Sequence, residues 1–150
     1  MGGFVFRGST IATIDDKGRL KVPTEFRRHL EERYGGEFFV TSVRGDRAIV
    51  YPLPVWEEIE TRLGALPATD PTRQRFLERV SYFGAQVALD AQGRLLLPPI
   101  VRERTGMSGE VVVSAQIDRL EIWNRERLER KLEAEPFTDD DFAALAARGI

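Results

Sequence analysis

The sequence contains no cysteine, which excludes a disulfide framework, a thiol nucleophile and a cysteine-based metal site. Its one histidine, His29, has no second histidine or acid pair at ligand spacing, so we expect a surface helix residue rather than a metal ligand or catalytic base. No apolar run approaches the ~20 residues of a membrane span, and the N-terminus lacks a signal-peptide pattern. The absences predict a cytoplasmic protein with no membrane partner.

The sequence also lacks the residue patterns that are typical of an active site. No nucleophile is accompanied by a base, and Gly18 and Gly93 stand alone rather than in a glycine-rich phosphate loop. We therefore expect no enzyme, no cofactor and no small-molecule substrate.

Positive charge is not in excess either. The 22 Lys and Arg residues are balanced by 24 Asp and Glu, a net charge of −2, which argues against a uniformly basic nucleic-acid binder. The charge is uneven, however: residues 1–30 carry a net +3 and residues 133–150 a net −4. Any nucleic-acid binding must therefore come from a local patch.

The sequence does contain a nine-residue segment that occurs twice. Asp15–Pro23 reappears as Asp90–Pro98, with Asp, Gly, Arg, Leu and Pro at the same places. Asp at the first position and Gly at the fourth are typical of a tight turn, because Asp bonds the backbone ahead of it and Gly accepts a positive φ. We therefore interpret Asp15, Gly18, Asp90 and Gly93 as structural turn residues. The turn does not explain the Arg that follows.

Each copy is predicted to fold in the order strand, strand, helix, strand, strand. The first copy has strands at 9–14, 19–22, 37–43 and 48–51, with the first two forming a hairpin, and a helix from residue 24. The second has strands at 86–89, 94–97, 110–116 and 120–123, with a helix through residue 104. Between the copies we predict two helices, the second capped by Asp70 with Pro71 as its first residue. Asn124 is predicted to cap a C-terminal helix, and residues 138–141 resemble a capping box.

Copies of this size bury too little surface to fold alone, so the two must share a core. Hairpins that interleave about a pseudo-twofold axis would provide such a core. Trp56 and Trp123 are predicted to lie in the core.

Motifs throughout the chain resemble those of the MraZ family. They are Phe6-Arg7-Gly8-Ser9, Asp15-x-Lys17-Gly18-Arg19-x-x-x-Pro23, Tyr51-Pro52-Leu53-Pro54-x-Trp56, the Asp70-Pro71 connector with Arg73 and Arg79, and Asp90-x-x-Gly93-Arg94. The resemblance implies an α+β fold of two tandem swapped-hairpin repeats of the AbrB/SpoVT type, forming one β-barrel-like core. We expect repeats at 7–53 and 84–127, a helical connector at 54–83, and a C-terminal helix and acidic tail at 128–150.

The same resemblance implies a nucleoid-associated transcriptional regulator of the bacterial division and cell-wall gene cluster, its own promoter included. It also implies a homo-oligomer, a ring in the family's manner, that binds repeated sites on double-stranded DNA. The alternative is a ring-forming interaction module whose Arg turns are subunit contacts and whose DNA binding is weak.

Four cations of the first copy are the candidate DNA-binding residues: Arg7, Lys17, Arg19 and Lys21. Guanidinium forms bidentate contacts with guanine or phosphate, and clustered cations favour phosphate binding. An ion pair of Arg19 with Asp15 or Asp16 is the structural alternative. Arg94 is predicted to hold structure or assembly instead, because Gln92 and Leu96 replace the two lysines beside it. Arg27 and Arg28 are interpreted as solvated helix positions.

Overall fold

The computed structural model describes residues 5–150 and alternates antiparallel strands with α-helices. The first copy comprises β1 (Ser9–Thr13), β2 (Arg19–Lys21), α1 (Thr24–Tyr34), β3 (Glu37–Thr41) and β4 (Ala48–Pro52). The connector comprises α2 (Leu53–Gly64) and α3 (Pro71–Phe83). The second copy comprises β5 (Ala85–Ala88), β6 (Arg94–Leu96), α4 (Pro99–Thr105), β7 (Glu110–Gln116) and β8 (Arg119–Asn124), followed by α5 (Arg125–Ala134) and α6 (Asp139–Ala146). The predicted order of elements is confirmed.

The helix ends follow from local chemistry. The Asp70 carboxylate accepts a hydrogen bond from the Arg73 amide at 2.9 Å, so the predicted cap of α3 is confirmed. The Asn124 side chain accepts from the Arg127 amide at 3.0 Å and caps α5 in the same way. Both bonds of the capping box at Thr138 are present, so α6 is a formed helix.

The main sheet exchanges strands between the two copies. Its six strands lie in the order β1-β7-β8-β4-β3-β5. Strand β1 of the first copy pairs with β7 of the second, from Ser9 opposite Ser114 to Thr13 opposite Glu110. Strand β5 of the second copy pairs in turn with β3 of the first. The expected interleaving of the copies is therefore confirmed.

The second strand of each copy leaves this sheet. Strands β2 and β6 form a separate two-stranded antiparallel ribbon, in which Leu20 lies opposite Leu95. Only one isolated bridge, Ile14 with Leu20, joins β1 to β2, so the predicted hairpin ladder of 9–14 with 19–22 is wrong. The physical reason is that Leu20 and Leu95, both 0% exposed, are buried against each other beneath the ribbon rather than along the solvent-facing edge of β1.

The expected barrel-like closure is also not observed. Among the described strands, β1 and β5 are the two edges of the main sheet, and the pairings join each of them to one neighbour only. The sheet is therefore open, with the ribbon as a second small layer.

One hydrophobic core serves both copies. Leu30 and Val50 of the first copy and Val113 and Ile122 of the second are all 0% exposed in a single cluster. A second cluster on the other face of the sheet lies beneath α2 and α3, where Trp56 is 4% exposed and stacks on Phe39 with ring centroids 4.5 Å apart. Trp123 is 6% exposed, so the core placement of both tryptophans is confirmed.

Two arginine contacts also cross between the copies. The Arg47 guanidinium lies 5.4 Å from the ring centroid of Trp123, and that of Arg119 lies 4.7 Å from the ring centroid of Tyr51. Burial raises the pKa of the Tyr51 hydroxyl, although Arg119, which donates a hydrogen bond to it at 3.2 Å, opposes that shift. Each copy thus contacts an aromatic side chain of the other.

Candidate nucleic-acid interface

The first duplicated turn is closed by its aspartate. One Asp15 oxygen accepts hydrogen bonds from the amides of Lys17 at 3.0 Å and Arg19 at 2.8 Å. The other accepts from the Arg19 Nε at 2.8 Å. Gly18, with φ of +84°, donates its amide to the Asp15 carbonyl at 3.0 Å. The turn role predicted for Asp15 and Gly18 thus agrees with this geometry.

The second turn repeats this geometry. Asp90 accepts from the amides of Gln92 and Arg94 at 2.9 Å each and from the Arg94 Nε at 2.7 Å. Gly93 has φ of +75° and donates to the Asp90 carbonyl at 3.0 Å. The two arginines differ only beyond Nε. Arg94 Nη2 donates to the Gln92 side chain at 3.1 Å, whereas the terminal nitrogens of Arg19 make no hydrogen bond within residues 5–150.

The hydrogen bonds favour the charged form of both aspartates. The pKa of Asp15 is lowered chiefly by the Arg19 backbone amide, with further lowering by the Arg19 side chain, and desolvation opposes the shift. The pKa of Asp90 is lowered by Arg94 in the same way. Each turn therefore holds an ionised carboxylate that accepts hydrogen bonds from the backbone amide and the Nε of its arginine.

The ribbon gathers the cations of both copies on one face. Arg19 lies opposite Leu96, and Lys21 lies opposite Arg94. Because side chains alternate along a strand, these four point away from the buried Leu20 and Leu95. The structure therefore brings Arg94 next to Lys21, although the sequence reasoning separated their roles. We call this surface, formed by Arg19, Lys21, Arg94 and Leu96, the ribbon face.

The other candidate residues lie at different distances from the ribbon face. Lys17 is exposed at the tip of the first turn. Arg7 is exposed before β1, whereas the turn follows β1, so a strand of five residues, about 17 Å long, separates their backbones. The structure thus brings together Lys17, Arg19 and Lys21 but places Arg7 at the opposite end of β1.

Sequence reasoning missed the residues that hold each turn from the other copy. The Arg102 side chain of α4 lies directly over Gly18, where a Cβ would collide with its guanidinium, and its Nε donates to the Leu97 carbonyl at 3.0 Å. Arg27 of α1 covers Gly93 in the same way, with its Cδ 2.7 Å from the position of a Cβ. Arg27 is therefore half-buried rather than simply solvated, whereas Arg28 is exposed as expected.

Backbone hydrogen bonds also join each turn to the other copy. The Leu97 amide donates to the Gly18 carbonyl at 2.9 Å, and the Val22 amide donates to the Gly93 carbonyl at 3.1 Å. Arg102 follows Arg27 by 75 residues, the offset of the duplicated segment, so the sequence already showed that the two arginines occupy equivalent positions in the two copies. What the sequence did not reveal is that each arginine covers the turn of the other copy.

His29 is part of the packing of the first copy. Its ring stacks on Phe6 with centroids 4.7 Å apart and an angle of 12°, and it is half-buried, so this helix position also takes part in packing. The cause is Phe6, which packs into the core between Phe26 and His29. Across residues 5–150 there is no group of three or more His, Asp or Glu side chains placed to hold a metal ion. No helix in that part of the chain is long and apolar enough to cross a membrane.

Comparison with known proteins gives a consistent set of relatives. The family model described as "MraZ protein, putative antitoxin-like" matches residues 5–79 and 84–148. The chain is 44% identical to a transcriptional regulator MraZ of Acidobacterium capsulatum over 146 residues, 97% of this chain and 100% of that protein. It is 42% identical to the one of Koribacter versatilis over 97% of this chain and 100% of that protein. A transcriptional regulator MraZ of Escherichia coli is 32% identical over 93% of this chain and 95% of that protein.

Proposed function

Because the chain belongs to the MraZ family of transcriptional regulators and not to a family of enzymes, we propose that it binds specific sequences in double-stranded DNA through the ribbon face. The target is the control region of bacterial division and cell-wall genes, including that of its own gene, and the protein acts in the cytoplasm on the nucleoid. The same proposal divides the chain into repeats at 7–53 and 84–127, a connector at 54–83 and a C-terminal part at 128–150.

The observation that carries the proposal is the arrangement of cations on the ribbon. Arg19 and Lys21 of the first copy share one face of the two-stranded ribbon, and the side chains on its other face, Leu20 and Leu95, are 0% exposed. The major groove of B-DNA accepts a two-stranded ribbon, and arginine can form two hydrogen bonds with a guanine edge. A rigid ribbon that presents the guanidinium of Arg19 is suited to that geometry.

The turns prepare Arg19 for such a contact. Asp15 holds the backbone and the Nε of Arg19, so little side-chain freedom remains to be lost on binding. Lys17 and Lys21 add positive charge for neighbouring phosphates. Arg94 holds structure or assembly in this proposal, which its additional bond to Gln92 supports.

Self-association is the second part of the proposal. A single ribbon face offers few phosphate contacts, whereas joining several copies can raise avidity by ~10²–10⁴ when all can bind at once. The protein therefore acts as a homo-oligomer, a ring in the family's manner, and prefers repeated DNA sites.

One observation favours the alternative of an interaction module. Leu96 is 47% exposed on the ribbon face opposite Arg19, where an apolar side chain suits a protein contact better than a phosphate. Salt separates the two functions, because DNA affinity falls steeply with added salt if phosphates are bound.

The direct test is a gel shift with the DNA immediately upstream of the protein's own gene. We expect a discrete complex with this DNA and none with a scrambled DNA of equal length at the same ionic strength. Equal binding of both DNAs would refute sequence-specific regulation, and the absence of binding to either would favour the interaction module.

A further inference from the structure

A cleft of about 810 Å³ opens on the side of the molecule formed by α3, α4 and the loop between β3 and β4. Its lining includes three arginines, Arg44, Arg79 and Arg104, and only one acid, Glu78. Tyr82 and Phe83 provide aromatic surface between them. We call this surface the arginine cleft.

Within residues 5–150, no carboxylate accepts a hydrogen bond from the arginines of the cleft. Arg104 is exposed and lies 5.5 Å from the ring centroid of Phe83. Arg79 donates a hydrogen bond to the Arg75 carbonyl at 3.0 Å and lies 3.9 Å from the nearest Glu78 oxygen. Tyr82 is 61% exposed, with its ring edge-on to Phe83 at 5.2 Å. Cations around an exposed aromatic ring suit a partner segment that is both acidic and aromatic.

The C-terminal segment of this chain has that composition. Residues 136–150 carry three acids and one cation, a net charge of −2, and Asp139, Asp140 and Asp141 form the first turn of α6. Phe137 and Phe142 pack on each other at 4.7 Å and remain 59% and 63% exposed. The segment is therefore a capped helix with an acidic end and an aromatic face that its own chain leaves uncovered. We call residues 136–150 the acidic tail.

We propose that the acidic tail of one copy docks into the arginine cleft of a second copy of this chain. Charge complementarity supports this pairing: Asp139 and Asp140 are available for the cleft arginines, whereas Asp141 is already used by the Thr138 cap. Phe142 lies beside these acids and would pack on the ring of Tyr82.

A second copy fits better than the same chain. The link between α5 and α6 is residues 135–138, which span at most ~14 Å, and Pro136 fixes one of its dihedral angles. Glu135 remains near Arg44, which helps to lower its pKa after the larger effect of the Lys131 hydrogen bond. The acidic tail therefore begins near Arg44, at one edge of its own cleft, and the aromatic surface on α3 remains exposed to a second copy.

This inference rests on the self-association part of the proposed function and identifies the contact that produces it. Disulfide trapping tests it in the full chain, which has no cysteine of its own. One protein carries Glu78→Cys at the cleft, and the other carries Ala143→Cys on α6. Mixed and mildly oxidised, they should form a disulfide-linked heterodimer at least about tenfold more than the control pair, Glu60→Cys on exposed α2 with Ala143→Cys.

Each outcome has a defined meaning. A protein that sediments as an oligomer but gives no more heterodimer than the control pair overturns the tail contact and leaves self-association standing. A protein that sediments only as a monomer overturns both. A chain with both cysteines that cross-links only within itself at every concentration shows that the tail binds its own cleft, which also contradicts the proposal.

Charge exchange provides a second measurement. Asp139→Lys with Asp140→Lys should weaken self-association about tenfold, and Arg79→Glu with Arg104→Glu should do the same. All four substitutions together should restore most of it, whereas Arg62→Glu on α2 should have no effect. Circular dichroism is the check that α6 is retained. If the lysine substitutions unfold α6, the disulfide experiment alone tests the tail contact. If the variant with all four substitutions is folded but does not regain self-association, the pairing of the acidic tail with the arginine cleft is contradicted.

Discussion

Gly18→Ala tests the contact by which the second copy holds the first turn. Gly18 has φ of +84°, and a Cβ at this position would collide with the Arg102 guanidinium. The guanidinium can move away, but its Nε would then lose the 3.0 Å hydrogen bond to the Leu97 carbonyl. The substitution therefore lowers stability in two ways: through backbone strain at residue 18 itself and through the lost hydrogen bond of Arg102 in the second copy.

The magnitudes follow from these two effects. Placing an alanine in a left-handed conformation costs about 1–2 kcal/mol, and losing the hydrogen bond of Arg102 costs about 0.5–1.5 kcal/mol. We expect Gly18→Ala to lower the free energy of unfolding by about 2–3 kcal/mol, which corresponds to a fall in Tm of about 5–10 °C for a chain of this size.

Thermal unfolding at a fixed protein concentration measures the effect. Gly109→Ala is the matched control, because Gly109 has φ of +71° and nothing lies within 4 Å of its Cβ position, so only the local cost remains. In an Arg102→Ala background, Gly18→Ala should cost no more than Gly109→Ala does. An equal cost of Gly18→Ala with and without Arg102 would refute the proposed contact.

Three further predictions concern the turns and the shared core. Arg19→Ala should abolish specific DNA binding and leave Tm and oligomer size nearly unchanged, because each base recognised by an arginine contributes about 1–3 kcal/mol of discrimination. Arg94→Ala should instead lower stability or alter assembly first. Equal DNA-binding defects in two folded, normally assembled variants would show that the two arginines share one role. Because folding lowers the pKa values of Asp15 and Asp90, their stabilisation is present above the unfolded value of about 3.9 and is lost as pH falls through the folded values. Replacing both by Asn should therefore flatten the decline of Tm below about pH 4, and an unchanged decline would contradict the assignment. A fragment ending after α2 should show no cooperative unfolding as a monomer, since β1 would lack β7 and β2 would lack β6; a sharp monomeric transition would disprove the shared core.

Local features of the fold were predictable from the sequence. The Asp and Gly of each turn, the Asp70 cap and the order of strands and helices depend on neighbouring residues, and the structure has them where they were expected. The burial of Trp56 and Trp123 was predictable because a large aromatic side chain at a helical or strand-end position most often fills a core.

Strand partners were not predictable in the same way. Adjacent strands joined by a tight turn favour a hairpin, yet β2 pairs with β6, whose residues lie 75 positions away. The outcome depends on which arrangement buries Leu20 with Leu95, and no local pattern contains that information. The same limit applies to Arg27 and Arg102, whose repeat spacing was visible but whose contact with the opposite turn depends on the exchange of strands.

The most direct measurement of the central claim is the dependence of DNA affinity on salt concentration for a ribbon variant. Each phosphate contact contributes about −0.9 to the slope of log K against log salt. Lys21→Ala should make the slope less steep by about one for each engaged subunit, whereas Arg62→Ala, an exposed cation on α2, should leave it unchanged. A slope that is the same in wild type and Lys21→Ala, or that changes equally in both variants, would show that the ribbon face does not bind the DNA backbone.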